Sequence, residues 1–489
     1  MHRDPLSLTL SILRNTLAFL VVGVFSKAMG LVIAVLIARF LGPEAMGLFA
    51  LLFGIALFVE NTAPLGLQDV LIRDAAAKPL ERIALWKEAT QVAISASLVP
   101  SCAFLVAAYF YRDNEPVLYS LITLAIGMPI SALALVSQAI LQGLEKVFFL
   151  TWATLLTRIA SLILLGIMLY RGAGVEAAFV SRVLFQASSA ALFVCVIFID
   201  RPAGGRSAHA RSALNRALPF AFNRALIELT TRAPLLLLPI MFSLKQIGLF
   251  DAADRIRLTL GIAISVATTA FMPAFSRSFF GQEANRGALV GYSVKYVCLA
   301  ISVAAAILSI FADPIIRVLY GPAFSGSAIL LQVLVWAQML VATDAILKQA
   351  IVASGRESAV ARRAVVGLIL LTMLVVALGS LYGLQGAAVA VLLAAAAMVT
   401  LDLRFVVKEV VAFDLQKFVL WPLLCGLLVG SVLLLLDGVT TGNRLMAGVS
   451  MFLISAVAMR LVPKDEREFL KATFAQGLGK MFAARPGSN

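Results

Sequence analysis

Residues 147–169 read VFFLTWATLLTRIASLILLGIML, twenty-three positions with a single charge, Arg158, and no proline. About 20 apolar residues carry a helix across the hydrocarbon core of a bilayer, so this stretch is long enough to span one. No water reaches that core to satisfy a peptide group, which makes such a run a helix. Equivalent runs lie on both sides of it. Before it come about 14–38, 46–67, 89–111 and 117–141. After it come about 174–198, 218–241, 247–272, 289–311, 324–347, 361–379, 384–403, 418–436 and 445–461. That is fourteen candidate spans in an all-α integral membrane protein.

Composition agrees. Of 489 residues, 61% are hydrophobic and 13% charged, against about a quarter charged in soluble domains. The net charge of +14 would suit nucleic acid, but most basic residues sit in short loops between apolar runs, so no nucleic-acid partner is expected. Cys102, Cys195, Cys298 and Cys425 fall inside apolar runs without metal-ligand spacing and read as small buried hydrophobes. His2 and His209 are placed neither as ligands nor as bases. No glycine-rich phosphate loop is present, the outer loops are only a few residues long, and residues 1–14 lack a signal-peptide cleavage pattern. The expectation is a non-enzymatic chain without metal or cofactor.

Orientation follows from Lys and Arg. With a cytoplasmic N-terminus, 26 of them face the cytoplasm and six (Arg39, Arg112, Arg171, Lys245, Arg317 and Arg444) face outside, which puts both termini inside. The chain also repeats itself. Gly47-Leu48-Phe49 opens the second run and Gly248-Leu249-Phe250 the eighth. Gly143-Leu144-Glu145 matches Gly355-Arg356-Glu357, and Tyr170 with Gly174 match Tyr382 with Gly386. Six runs separate the copies, so both copies face the same way, as in a parallel repeat. The division expected is a six-helix bundle over 1–200, a second over 201–415, two further spans over 416–462 and a basic cytoplasmic tail over 463–489. Pro64, Pro129, Pro234, Pro239 and Pro273 are expected to kink their helices.

Eight basic residues lie inside the runs: Lys27, Arg158, Arg182, Arg224, Arg232, Arg255, Arg257 and Lys295. Each charge at mid-bilayer costs about 2.5–3.5 kcal/mol, so those that cannot reach an interface should face a wet cavity or a partner. Lys295 lies near a cytoplasmic end and is expected to snorkel. Arg224, Glu228 and Arg232 share one face of run seven at i, i+4 and i+8. Run eight pairs Asp251 with Arg255 and Asp254 with Arg257. Counting Glu60, Glu228, Asp251 and Asp254 as the deep acids, cations are in excess, and a cationic chamber between two bundles suits an anion. Lys27, Arg158, Arg224, Arg232 and Arg255 are the candidate anion ligands, which the resemblance given below makes ligands of a substrate diphosphate. The four acids are candidate ion-coupling groups.

The stretch from Phe25-Ser26-Lys27 through Ile37-Ala38-Arg39-Phe40-Leu41-Gly42-Pro43-Glu44 to Gly47-Leu48-Phe49 resembles the first hairpin of polysaccharide-repeat-unit flippases of the Wzx type. Leu218-Pro219-Phe220, Ile247-Gly248-Leu249-Phe250 and Leu319-Tyr320-Gly321-Pro322 add to the resemblance, which covers runs one to twelve. These flippases share a superfamily with multidrug extruders and lipid II flippases. The resemblance implies a substrate, an oligosaccharide on polyprenyl diphosphate, turned from the cytoplasmic to the outer leaflet of a bacterial inner membrane by alternating access, for O-antigen, exopolysaccharide or capsule synthesis. It also implies membrane lipids and other polysaccharide-assembly membrane proteins as partners. Lipid II flippases carry an Arg-Asp pair where this chain has Ile33-Ala34. A cation-coupled multidrug extruder and a lipid II flippase stay open as alternatives. The orientation is tested in a cysteine-free background: an impermeant thiol reagent added outside labels a cysteine at Asp113 and spares one at Gly205. The reverse pattern overturns the topology.

Overall fold

The computed structural model describes residues 5–62, 66–199, 225, 228–230, 232–280, 286–436, 443–444 and 446–451. The side chains of the first 22 residues and of Lys27 lie outside that description, as do Pro64, Arg224, the loop 200–216, most of the fourteenth run and the tail. Among the described residues every regular element is helical. The helices are α1 (Pro5–Thr62), α2 (Leu67–Ala77), α3 (Arg82–Phe110), α4 (Glu115–Gly143), α5 (Val147–Tyr170), α6 (Glu176–Ile199) and α7 (residues 228–230 and 232–237). They continue as α8 (Leu244–Phe280), α9 (Arg286–Ile310), α10 (Ala312–Tyr320), α11 (Ser327–Ala353), α12 (Glu357–Phe405) and α13 (Trp421–Leu435). Ten described helices are long and apolar enough to cross a membrane.

Two of those ten each hold a pair of the sequence runs. α1 folds at Gly42 (φ 81°, ψ −174°) and α12 at Gly383 (φ 64°, ψ −148°), in a region of backbone space that only glycine occupies readily. Pro129 and Pro273 instead sit inside continuous helices, and Pro239 lies in a 3₁₀ turn that follows α7. Glycine, not proline, turns the chain at these two corners. The runs also missed α2 and α10, which are short and bury one stripe each: Leu67, Val70, Leu71 and Ala75 in α2, and Ala312, Ile316 and Tyr320 in α10. Apolar length cannot reveal a short amphipathic helix.

Outward faces are apolar. Ile163 on α5 is 58% exposed, Ile126 on α4 58%, and Phe110 on α3 76%. A belt of this kind is stable only in lipid, and the protein is a multi-pass membrane protein. α3–α6 pack among themselves and α5 against α1, α9 and α11–α13 pack among themselves and α11 against α8, and α1 packs most extensively on α8 between the two groups.

That meeting is symmetric. A Cβ on Gly47 would collide with the carbonyl oxygen of Leu244 and lie 3.0 Å from the Gly248 nitrogen; a Cβ on Gly248 would collide with the Pro43 oxygen and lie 3.0 Å from the Gly47 nitrogen. Each glycine of the repeated Gly-Leu-Phe motif thus meets the residue four before its counterpart. Nearby, Arg39 donates from Nε to the Leu319 oxygen at 2.9 Å and from Nη2 to the Val318 oxygen, capping α10. Gly321, which follows α10, has φ 95° and ψ 175° before Pro322, nearly the backbone of Gly42 before Pro43. The two Gly-Pro corners are tied together through Arg39.

The geometry shifts the repeat's register elsewhere. α4 and α11 both end in a Schellman motif, with Lys146 N–H donating to the Leu141 oxygen and Arg356 N–H to the Ile351 oxygen, both at five residues back. The left-handed residue is Glu145 in one (φ 57°) and Gly355 in the other (φ 78°). Glu145 is therefore equivalent to Gly355, two positions from the sequence match that paired it with Glu357.

Replacing Gly47 or Gly248 by alanine should destabilise by about 1–3 kcal/mol, because backbone cannot yield as a side chain does. Gly166→Ala, where nothing lies within 4 Å, should be neutral or slightly stabilising. Thermal unfolding in detergent compares the three, and equal melting temperatures would mean the helices do not need the close approach.

Candidate functional site

The second arm of α1 carries Phe49, Phe53, Glu60 and Asn61 along the line where the helix groups meet. Phe49, Phe53 and Glu60 recur at i, i+4 and i+11, which is one face of a helix. From α6, Arg182 binds Glu60 through Nη2 and Oε2 and lays its guanidinium over the Phe53 ring at 4.7 Å. From α8, Arg255 lies over Phe49 at 5.2 Å and over Phe53 at 5.7 Å. One aromatic ring therefore holds an arginine from each helix group. Such contacts contribute roughly 0.5–2 kcal/mol each and leave the planar donors free for another ligand.

Carboxylates hold these cations in place. Glu60 is 7% exposed, and its Oε1 also accepts from Ser131 Oγ of α4 at 3.0 Å and from Gln186 Nε2 at 3.1 Å. Asn61 Nδ2 donates to Glu228 Oε1 of α7 at 3.0 Å, a bond that crosses between the groups. Glu228 Oε2 accepts from Arg232 Nε at 3.2 Å, and Asp251 Oδ2 accepts from Arg255 Nε at 2.6 Å. A buried pair of this kind roughly balances its desolvation, but removing one partner strands the other at a cost of about 3–5 kcal/mol. Arg182 Nε has no hydrogen-bond partner among the described residues.

The sequence candidates are distributed as follows. Arg232, Arg255, Glu60, Glu228 and Asp251 come together at the seam. Arg158 on α5 stands over the Phe185 ring of α6 at 4.8 Å, three residues from Arg182. Arg224 and the Lys27 side chain lie outside the described residues. Asp254 turns away from the seam: it binds Arg257 Nε at 2.7 Å, and Arg257 Nη1 donates to Gln338 Oε1 at 2.6 Å. Each of the four acids is paired with a cation. Lys295 does not snorkel. It is 1% exposed, with its ammonium over the Tyr292 and Tyr296 rings at 5.9 and 5.7 Å.

Sequence reading passed over two features. Arg182 was one deep cation among eight, and its importance at Phe53 comes from helices far apart in the chain. Asp344 and Asp402 are further deep acids, 8% and 0% exposed. Lys348 Nζ lies 2.5 Å from Asp344 and 3.9 Å from Asp402, and Arg363, counted in sequence among the cytoplasmic charges, binds Asp402. Asp344, Lys348, Arg257 and Gln338 border a cavity of about 290 Å³ among α7, α8, α11 and α12. A larger, mostly apolar cavity of about 710 Å³ lies between α1, α3 and α4 on one side and the start of α8 on the other, near Leu48, Leu52, Phe104 and Phe242.

Residues 12–279 match the family described as polysaccharide biosynthesis protein. The chain is 21% identical over 505 residues to the stage V sporulation protein B of Bacillus subtilis (strain 168), a likeness covering 93% of this chain and 96% of that protein. Among solved structures, the lipid II flippase MurJ in its inward closed conformation is similar with a TM-score of 0.68 at 16% identity, over 90% of this chain and 98% of that one. An inward-facing multidrug resistance transporter of the MATE family, in the MOP superfamily, gives 0.66 at 15% identity, over 83% and 94%. At such identities the structural likeness speaks for the fold. The family match runs through more than half of the sequence, and the chain belongs to the polysaccharide biosynthesis protein family.

Proposed function

We propose that the protein is a flippase that carries a polyprenyl-diphosphate-linked oligosaccharide from the cytoplasmic to the outer leaflet. The observation that carries this reading is the convergence of Arg182 and Arg255, one from each helix group, on the single ring of Phe53. A diphosphate entering between them meets planar donors from both sides. Arg232 and Arg158 stand close by, so the anion exchanges onto arginines already held in position by Glu60, Glu228 and Asp251. Exchange matters more than raw affinity, because each carboxylate can take its arginine back when the phosphate leaves.

Family membership supports a saccharide substrate, and likeness to a lipid II flippase supports a lipid-linked one. The repeat units 1–200 and 201–415 rock against each other, the Gly47–Gly248 contact parting and re-forming, which presents the seam first to one side and then to the other. The lipid tail stays in the bilayer, where it costs nothing to desolvate. A cationic drug fits the seam less well, since the acids there already hold arginines. The cytoplasmic position of both termini and a bacterial inner membrane location belong to the same reading.

Purified protein in nanodiscs should bind a polyprenyl-diphosphate oligosaccharide about tenfold or more tightly than the monophosphate analogue, the difference expected from one or two charge-assisted hydrogen bonds. Arg232→Lys should lose part of that preference and Arg232→Ala more of it, because an ammonium keeps charge without the planar fork. Equal binding of the two carriers, or tight binding of a cationic dye that depends on Glu60, would assign the seam to drug extrusion.

A further inference from the structure

A third cavity, of about 280 Å³, lies between α2 and α4 at the end of the molecule where α4 finishes. Gln68 and Asp69 reach it from the first turn of α2, and Gln138 and Gln142 from the last turns of α4, with Ile72 and Leu135 between them. The two helices are held close by Gly143, where a Cβ would collide with the Ile72 carbonyl. Among the described residues, none of the four polar side chains makes a hydrogen bond or ion pair. Three amides and one carboxylate thus converge on an open space with their donors and acceptors unspent.

The position of this space is set by one face of α4. Ser131, whose hydroxyl binds Glu60 at the seam, is followed by Leu135, Gln138 and Gln142 at i+4, i+7 and i+11. These fall on a single stripe of the helix. At 1.5 Å per residue, Gln138 stands about 10 Å and Gln142 about 16 Å from Ser131 along the axis. The seam contact of Ser131 and the pocket therefore lie on one face of α4, with Leu135 between them.

We propose that this pocket is a sugar-recognition subsite that takes one neutral ring of the lipid-linked saccharide while the diphosphate occupies the seam. The proposal rests on the flippase reading above. A side-chain amide presents a donor and an acceptor side by side, which matches neighbouring hydroxyls or an acetamido group on a ring. Asp69 accepts from two hydroxyls and repels a uronic acid, and among the described residues no cation lines the space to offset that repulsion. The lining is poor in apolar surface, so neither a lipid tail nor a drug suits it. Its volume lies just under the roughly 300 Å³ at which small-molecule pockets begin, enough for one ring.

The test uses the full chain in nanodiscs and four synthetic carriers: polyprenyl diphosphate with a neutral spacer trisaccharide, here the bare carrier, and the same carrier extended at its far end by glucose, N-acetylglucosamine or glucuronic acid, so that the terminal ring can reach a pocket about 10–16 Å from Ser131. At least one neutral sugar should tighten binding over the bare carrier, and glucuronic acid should not. Gln138→Leu and Gln142→Leu, which keep the side-chain volume, should each cost that neutral derivative about tenfold in affinity and leave the bare carrier unchanged. Asp69→Asn should admit the glucuronic acid derivative. The proposal is overturned if no neutral sugar improves on the bare carrier, or if the glutamine variants weaken all carriers equally. Failure of the flippase reading looks different: the wild-type protein then shows no preference for diphosphate over monophosphate, whatever sugar is attached.

Discussion

Two helices can lie backbone against backbone only where neither carries a side chain, and Gly47 and Gly248 meet that condition reciprocally. The contact fixes how far apart the second arm of α1 and α8 can be, and with them the two groups of helices that they carry. Everything at the seam inherits this spacing. Phe53 lies six residues beyond Gly47 and Arg255 seven beyond Gly248, each a little under two turns, so the arginine reaches the ring because the glycines touch. Inside a bilayer this spacing cannot come from hydrophobic association, since lipid tails are as apolar as leucine. Close packing of small residues supplies it instead.

The charges then follow a consistent logic. An arginine in hydrocarbon needs a partner, and here each described one at the seam has a carboxylate, a ring or both. Such pairing is weak support for stability, because desolvation offsets most of the Coulombic gain. Its effect is positional. Glu60 gathers Arg182, Ser131 and Gln186 from two other helices, and Glu228 joins Arg232 to Asn61. The guanidinium planes are oriented before any ligand arrives, which is what bidentate recognition of the proposed diphosphate's oxygens requires.

Apolar run length was sufficient to read the membrane class and most of the spans, because each depends on neighbours in sequence. Run seven's Glu228 and Arg232 and run eight's Asp251 and Arg255 were legible for the same reason: their partners are four residues away. Arg182 with Glu60, and Arg363 with Asp402, were not, since no periodic spacing marks a pair made between different helices. The glycine corners were hidden in a similar way. Gly42 and Gly383 look like ordinary loop residues in sequence, and only their positive φ shows that the chain reverses there without leaving the helical hydrogen-bond pattern for long. Glu145 shows the opposite case, a left-handed cap filled by a residue that does not advertise it.

Arg39 has a consequence for the thermodynamics of the transport cycle proposed above. Its two bonds to the last carbonyls of α10, together with the glycine contact beside them, exist only while the two Gly-Pro corners are together. Parting the corners frees the end carbonyls of α10 and the guanidinium at once, so the resting population is tilted toward this arrangement before any substrate binds. A substrate that favoured both arrangements equally would leave that tilt unchanged however tightly it bound. The cargo must therefore hold the opened arrangement more tightly by at least the free energy of the tie, and shortening or removing that one side chain alters the equilibrium constant of the cycle without touching the place where the cargo sits.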